Sequence, residues 1–324
     1  MIDKLHFFGF SVTRYGNPSF VDSFRSKNLN IGSVTFSAMG GISFEVLPYM
    51  VDSMLPPILD CLVLEVGTSY YALGKYSPDQ VDDILFRLVH ELHGRGIRKV
   101  IFLMLPRQDL PVPCMIMGSL IRNQERLGYG VLDLQSAFRD SWSEYGVDTV
   151  HPTKIGIEFI ADELSQYLAD ELVQSLELKT VLEQSTKSGL MVLADTLDRR
   201  DYPLLIDFES SSLHFTFPQL ELGERLEVSF DHGGSVEGML YLMGPDSGTL
   251  AIRSDENEIT LRTYDQHCYY YRFGFRAFNW NIIPGQKIHL ESMAERDNTK
   301  LIRPTRYKTN RILNYPIAFA YKIN

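Results

Sequence analysis

Three residues in this chain have the types and spacing from which acyl-transfer chemistry is built. Ser11 follows the apolar run Leu5-His6-Phe7-Phe8-Gly9-Phe10, two positions after its glycine. Asp148 precedes His151 by three residues, and Pro152 comes next. Acyl transfer needs a nucleophilic hydroxyl, an imidazole to take its proton, a carboxylate to fix the imidazole tautomer, and donors for the oxyanion. Ser11 can supply the first and His151 the second. Asp148 can reach back to the ring within one turn. Backbone N–H groups of Ser11 and Gly41 can serve the oxyanion, and a glycine at 41 lets the backbone approach a substrate closely. Each residue also has a plainer use: Ser11 as a helix cap, His151 at a helix entry, Asp148 as a turn acid. Their order along the chain is what favours the chemical reading.

The elements that must position these residues read as follows. Residues 4–9, 31–36, 61–66, 99–105 and 129–134 are strand-like. Cys61-Leu62-Val63-Leu64-Glu65-Val66 is a continuous apolar run with one interruption, as in a strand buried on both faces. Helical spacing appears over residues 44–55, stopping before Pro56-Pro57, and again over 115–126 and 154–176. Another helix opens at Ser77-Pro78-Asp79-Gln80 and is stopped by Gly94 and Gly96. Strands alternating with helices predict a parallel, doubly wound sheet with right-handed crossovers. Chemistry in such a sheet sits at the carboxyl ends of its strands. Four short elements fall at those ends: Gly9-Phe10-Ser11, Gly41-Ile42-Ser43, Gly67-Thr68-Ser69 and Asp148-Thr149-Val150-His151-Pro152. Tyr70 and Tyr71, just beyond the third, can line a substrate cleft or simply pack.

In this order and spacing the four elements resemble the four blocks of the SGNH (GDSL) hydrolase family, over about residues 1–176. The last block is the most specific: Asp148, two residues, His151-Pro152, then Gly156 in the following helix. The resemblance implies a flavodoxin-like three-layer α/β/α domain and a serine esterase without a cofactor. It assigns the nucleophile to Ser11, the base to His151 and the orienting acid to Asp148. Oxyanion donors would be the N–H groups of Ser11 and Gly41, with Ser69 or Thr68 in the third block. Two positions depart from the pattern. Phe10 stands where the family has Asp, a residue outside the reacting groups. Ser69 stands where the family has Asn, and a shorter, freer hydroxyl is a weaker donor; losing one oxyanion donor costs about 10²–10³ in rate.

Beyond residue 180 helical periodicity fades and nine short strand-like segments recur between turns such as Asp231-His232-Gly233-Gly234 and Pro284-Gly285. Their spacing predicts an antiparallel β-sandwich, jelly-roll-like. The expected layout is residues 1–178 as the hydrolase-like catalytic domain, 179–200 as a linker, and 201–324 as a β-sandwich accessory domain. The aromatic stretch from Tyr269 to Trp280 reads as a strand with one core face. Its other face either packs too or stacks on sugars.

The composition sets outer bounds. Over 324 residues, 44% are hydrophobic and 22% charged, as in a globular protein. A net charge of −10 with no basic block argues against a nucleic-acid partner. Three scattered cysteines give neither a disulfide framework nor metal-ligand spacing. No apolar run is long enough for membrane insertion, and no leader precedes the first strand, so a cytoplasmic location is expected; a trimmed leader would leave the same sequence. The expected partner is an ester-bearing small molecule or saccharide, and the oligomeric state is open. The favoured activity is removal of O-acetyl or another short acyl group from a carbohydrate. Two alternatives stand beside it: an O-acyltransferase with a sugar hydroxyl as acceptor, and a non-catalytic glycan-binding protein on a decayed fold of this family.

Overall fold

The structure is a computed structural model and describes residues 2–40, 42, 44–68, 76–109, 114–170, 173, 175–179, 187–197, 205–210, 213–293, 299–305 and 311–323. It separates into two units. One comprises Met1–Glu183 with Ser210–Leu213; the other comprises Gln184–Glu209 with His214–Asn324.

The first unit is built on a five-stranded sheet of β1 (Lys4–Gly9), β2 (Ser33–Ala38), β3 (Cys61–Val66), β4 (Lys99–Met104) and β5 (Gly130–Asp133), in the order β2-β1-β3-β4-β5. Every pairing is parallel. The five strands are those the sequence predicts, with ends shifted by no more than two residues. Their helices are α1 (Ser11–Arg14), α2 (Phe20–Lys27), α3 (Leu47–Met54), α4 (Pro78–Gly94), α5 (Met115–Leu127), α6 (Gln135–Asp140), α7 (Trp142–Tyr145) and α8 (Lys154–Ala169). Side chains alternate across the sheet. Leu5, Phe7, Val63 and Ile101 face one way and form a core with Phe20 and Phe24 of α2 and Ile157, Ile160 and Leu164 of α8. Phe8, Leu62 and Leu64 face the other way, with Leu47 and Val51 of α3 and Leu88 and Leu92 of α4. This is the expected three-layer α/β/α arrangement, with a strand order that reverses direction between β1 and β3.

Helix starts follow their sequence signals. Ser19 and Asp22 form a capping box at α2, and Ser77 and Gln80 form one at α4, where Pro78 occupies the first turn. The last helix is shorter than its apolar periodicity suggests. It stops at Ala169, where Asp170 turns to an extended conformation.

The second unit is antiparallel. One sheet has the order β10 (Arg225–Ser229), β15 (Lys287–Met293), β12 (Thr249–Arg253), β13 (Glu258–Arg262). The other has the order β14 (Arg272–Ile282), β11 (Gly234–Met243), β16 (Leu313–Ile323), β6 (Lys187–Val192), with β9 (Leu220–Glu221) also on β16. β7 (Leu205–Ser210) and β8 (Leu213–Pro218) pair as a separate two-stranded sheet. Leu226, Ile252 and Leu290 of one sheet and Val236, Trp280 and Phe319 of the other belong to one core, so the two sheets form a sandwich.

Two expectations are corrected here. The stretch read as a linker over 179–200 contains β6, which pairs with the last strand through Ala318↔Val192 to Ile323↔Lys187, and a short helix, Leu193–Thr196. Within the aromatic stretch, β14 begins only at Arg272, and its register on β11 shifts between Val236 and Gly238. Phe273 is buried against Phe208 of β7 and Phe215 of β8 at ring distances of 5.4 and 5.5 Å. Among the described residues no helix is long and apolar enough to cross a membrane.

Candidate active site

Ser11 is the first residue of α1, directly beyond the carboxyl end of β1, and is half-buried. The turn that carries it is fixed from below. The Phe10 N–H donates to Glu65 Oε2 at 2.8 Å, and Thr13 Oγ1 donates to the same oxygen at 3.1 Å. Gly9 makes this possible: a Cβ there would run into Thr13 Oγ1 and lie 2.9 Å from Glu65 Oε2. Phe10, in place of the family's aspartate, turns its ring into the core against Phe8 at 6.4 Å. The Met39 N–H donates to the Gly9 carbonyl at 3.0 Å, carrying the ladder beyond β2 and bringing Gly40 beside the serine; a Cβ on Gly40 would lie 3.8 Å from Ser11 Cβ.

His151 and Asp148 sit in the loop between α7 and α8. Asp148 Oδ1 accepts the N–H groups of Val150 and His151, each at 2.8 Å, and Oδ2 lies 2.9 Å from His151 Nδ1. The loop is closed around them by Val147 N–H to the His151 carbonyl at 2.8 Å and by Trp142 Nε1 to the Asp148 carbonyl at 3.1 Å. Partial burial pulls Asp148 upward, but the bonds from the His151 N–H, the His151 ring and the Val150 N–H outweigh it and hold the carboxyl below its ordinary value. The carboxylate can only accept, so in the neutral ring Nδ1 carries the proton and Nε2 the lone pair.

Contacts between loops gather these pieces on one edge of the sheet. The Tyr15 ring, four residues beyond Ser11, stacks on His151 with centroids 4.3 Å apart. The Gln108 N–H donates to the Thr149 carbonyl at 2.9 Å, tying the loop after β4 to the histidine loop. Arg107, buried and paired bidentately with Asp109, donates from a third nitrogen to the Thr68 carbonyl at 3.2 Å. The edge is the carboxyl end of the sheet, at the β1/β3 reversal where open α/β sheets hold their ligands.

Ser11, Asp148, His151 and Thr68 are therefore brought to one edge, and the Asp148–His151 bond is formed. Gly41, Ser69, Tyr70 and Tyr71 lie outside the described residues. Thr68 is placed differently from the expectation. Its hydroxyl donates its single proton to Glu65 Oε1 at 2.6 Å, so that hydroxyl is not a free oxyanion donor. Sequence reasoning missed Glu65, Arg107 and Tyr15. Glu65 had a visible signal, a lone acid inside an otherwise apolar strand, since such acids are almost never buried without partners.

No family model matches the sequence, and no curated protein matches it. Solved structures do. A crystal structure of a two-domain esterase active on acetylated mannans aligns with a TM-score of 0.69 at 11% identity, covering 99% of this chain and 91% of that one. The same protein co-crystallised with mannopentaose aligns with a TM-score of 0.68 at 11% identity, covering 99% and 90%. The chain thus shares the overall fold of that two-domain protein, with a parallel α/β unit followed by a β-rich unit.

Proposed function

We propose that this protein is a serine ester hydrolase that removes O-acetyl or another short acyl group from a carbohydrate. The observation that carries the reading is the Asp148–His151 pair, which leaves Nε2 free on the edge where Ser11 emerges. Ser11 Oγ attacks the ester carbonyl while His151 Nε2 takes the hydroxyl proton. Asp148 holds the ring and offsets its positive charge, helped by the face of Tyr15. The oxyanion is met by the N–H of Ser11 and by donors from the Gly41 and Ser69 loops. When the tetrahedral intermediate collapses, the sugar oxygen leaves with the proton from His151. Water, activated by the same nitrogen, then releases the acid and regenerates Ser11. No cofactor enters this sequence.

The substrate class draws on the neighbouring two-domain esterase, described as active on acetylated mannans, and on the net charge of −10, which disfavours polyanionic partners. Acetylated manno-oligosaccharides incubated with the protein, with acetate measured, test the reading. Release by the wild type and none by Ser11→Ala is expected. Acetyl moved to an added sugar without free acetate would make the protein an acyltransferase. Glycan binding without turnover in either form would overturn the catalytic reading.

A further inference from the structure

The third strand of the first unit ends in a buried carboxylate that none of the reacting groups touches. Glu65 is 1% exposed. Oε2 accepts the Phe10 N–H at 2.8 Å and the Thr13 hydroxyl at 3.1 Å, Oε1 accepts the Thr68 hydroxyl at 2.6 Å, and the Thr13 N–H also points at the group. Burial pushes the carboxyl up, against the pull of the Thr68, Phe10 and Thr13 bonds. The donors come from two different loops. Phe10 and Thr13 flank Ser11 in sequence, and Thr68 precedes Ser69, the position that the third block gives to an oxyanion donor. Gly9 is vacant of side chain where the carboxyl passes.

A core could close this strand with leucine or valine. An acid there has to be desolvated, and it is tolerated only because every bond it makes secures a loop at the strand ends. We propose that Glu65 is a positioning residue: its carboxylate clamps the Ser11 turn to Thr68 at the end of β3, fixing the nucleophile at the strand-end edge. The clamp takes the place of the aspartate that the first block lacks at Phe10, by supporting the turn from the neighbouring strand. This inference rests on Ser11 being the nucleophile.

A loop shift of about 1 Å can cost on the order of 10²-fold in turnover without weakening substrate binding. The experiment measures kcat and KM on an acetyl ester together with the rate of Ser11 phosphonylation by a fluorophosphonate. The proteins are the wild type, Glu65→Gln, Thr68→Val and Thr68→Ser, each also followed by urea unfolding. Glu65→Gln keeps the shape and half of the acceptors. We expect kcat and phosphonylation to fall about tenfold or more with KM within about twofold. Thr68→Val removes one arm of the clamp and should lower kcat similarly, while Thr68→Ser, which restores the donor, recovers most of it. A fall in unfolding midpoint with unchanged kcat and labelling in Glu65→Gln and Thr68→Val would overturn the inference and leave the acid merely structural. A wild type that does not label at Ser11 would instead overturn the catalytic reading itself.

Discussion

Among the described residues, each unit buries an acid that accepts two hydroxyl groups, and the two acids are put to different uses. Glu65 in the parallel sheet holds the turn that carries Ser11 and the end of β3 at the carboxyl edge of that sheet. Asp246 in the β-sandwich unit accepts the hydroxyls of Tyr271 and Tyr315, each at 2.7 Å, and so ties the β11–β12 turn to β16 and to the residue that precedes β14. Burial and the adjacent carboxylate push the Tyr315 hydroxyl far above its ordinary range. The difference follows from topology. A parallel sheet gathers all its strand exits on one edge, so a buried acid at a strand end can brace several loops around a common centre. Antiparallel strands distribute their turns between two ends, and a buried acid there fixes one turn. Burial of an acid is therefore no sign of chemistry until the partners it holds are identified.

Substitutions can break that contrast. The largest effect should fall at the exposed edge of the first unit. His151→Ala should lower turnover by about 10³-fold or more, with the melting temperature almost unchanged, and Asp148→Asn should follow it with a loss of about 10²–10⁴. Steady-state kinetics beside a thermal melt checks both.

A smaller effect arises inside the same sheet. His6 is buried on β1, with Nδ1 2.8 Å from Thr35 Oγ1 and Nε2 without a partner among the described residues. Burial lowers its pKa from 6.5 to about 4. The unfolded chain takes up this proton as pH falls through 6.5, whereas the folded chain resists until about 4. Stability from this group is complete above 6.5 and is lost as pH falls toward 4, by about 3 kcal/mol in all. Urea unfolding across that range should show the loss, and His6→Leu should flatten it. An equal slope in the variant would assign the acid sensitivity elsewhere.

The smallest effect belongs to the second unit. Asp246→Ala leaves two tyrosine hydroxyls without their acceptor and should cost about 2 kcal/mol in unfolding free energy. Its kcat on a small acetyl ester should stay at the wild-type value. A kcat loss matching that of Glu65→Gln would erase the distinction between the two acids.

The legible parts of the sequence were those whose partners lie close in the chain. Asp148 and His151 are three residues apart, and their bond forms as the spacing suggests. The limits of β1 and β3 appear unchanged because continuous apolar runs need no distant information. What stayed hidden depends on remote neighbours. Phe10 and Thr13 reach Glu65 across 55 and 52 positions, so the acid read only as an interruption. Tyr15 meets His151 from the opposite end of the unit. The β6 strand looked like linker because its partner is the final strand of the chain. The register of β14 on β11 shifts between Val236 and Gly238, and no local residue pattern announces it.

The most direct test is labelling with a fluorophosphonate, followed by intact mass and peptide mapping, on the wild type, Ser11→Ala and His151→Ala. A single adduct on Ser11 in the wild type, absent from both variants, is the predicted result. A folded wild type that takes no adduct, or takes it on another residue, would contradict the assignment of Ser11 as a nucleophile activated by His151.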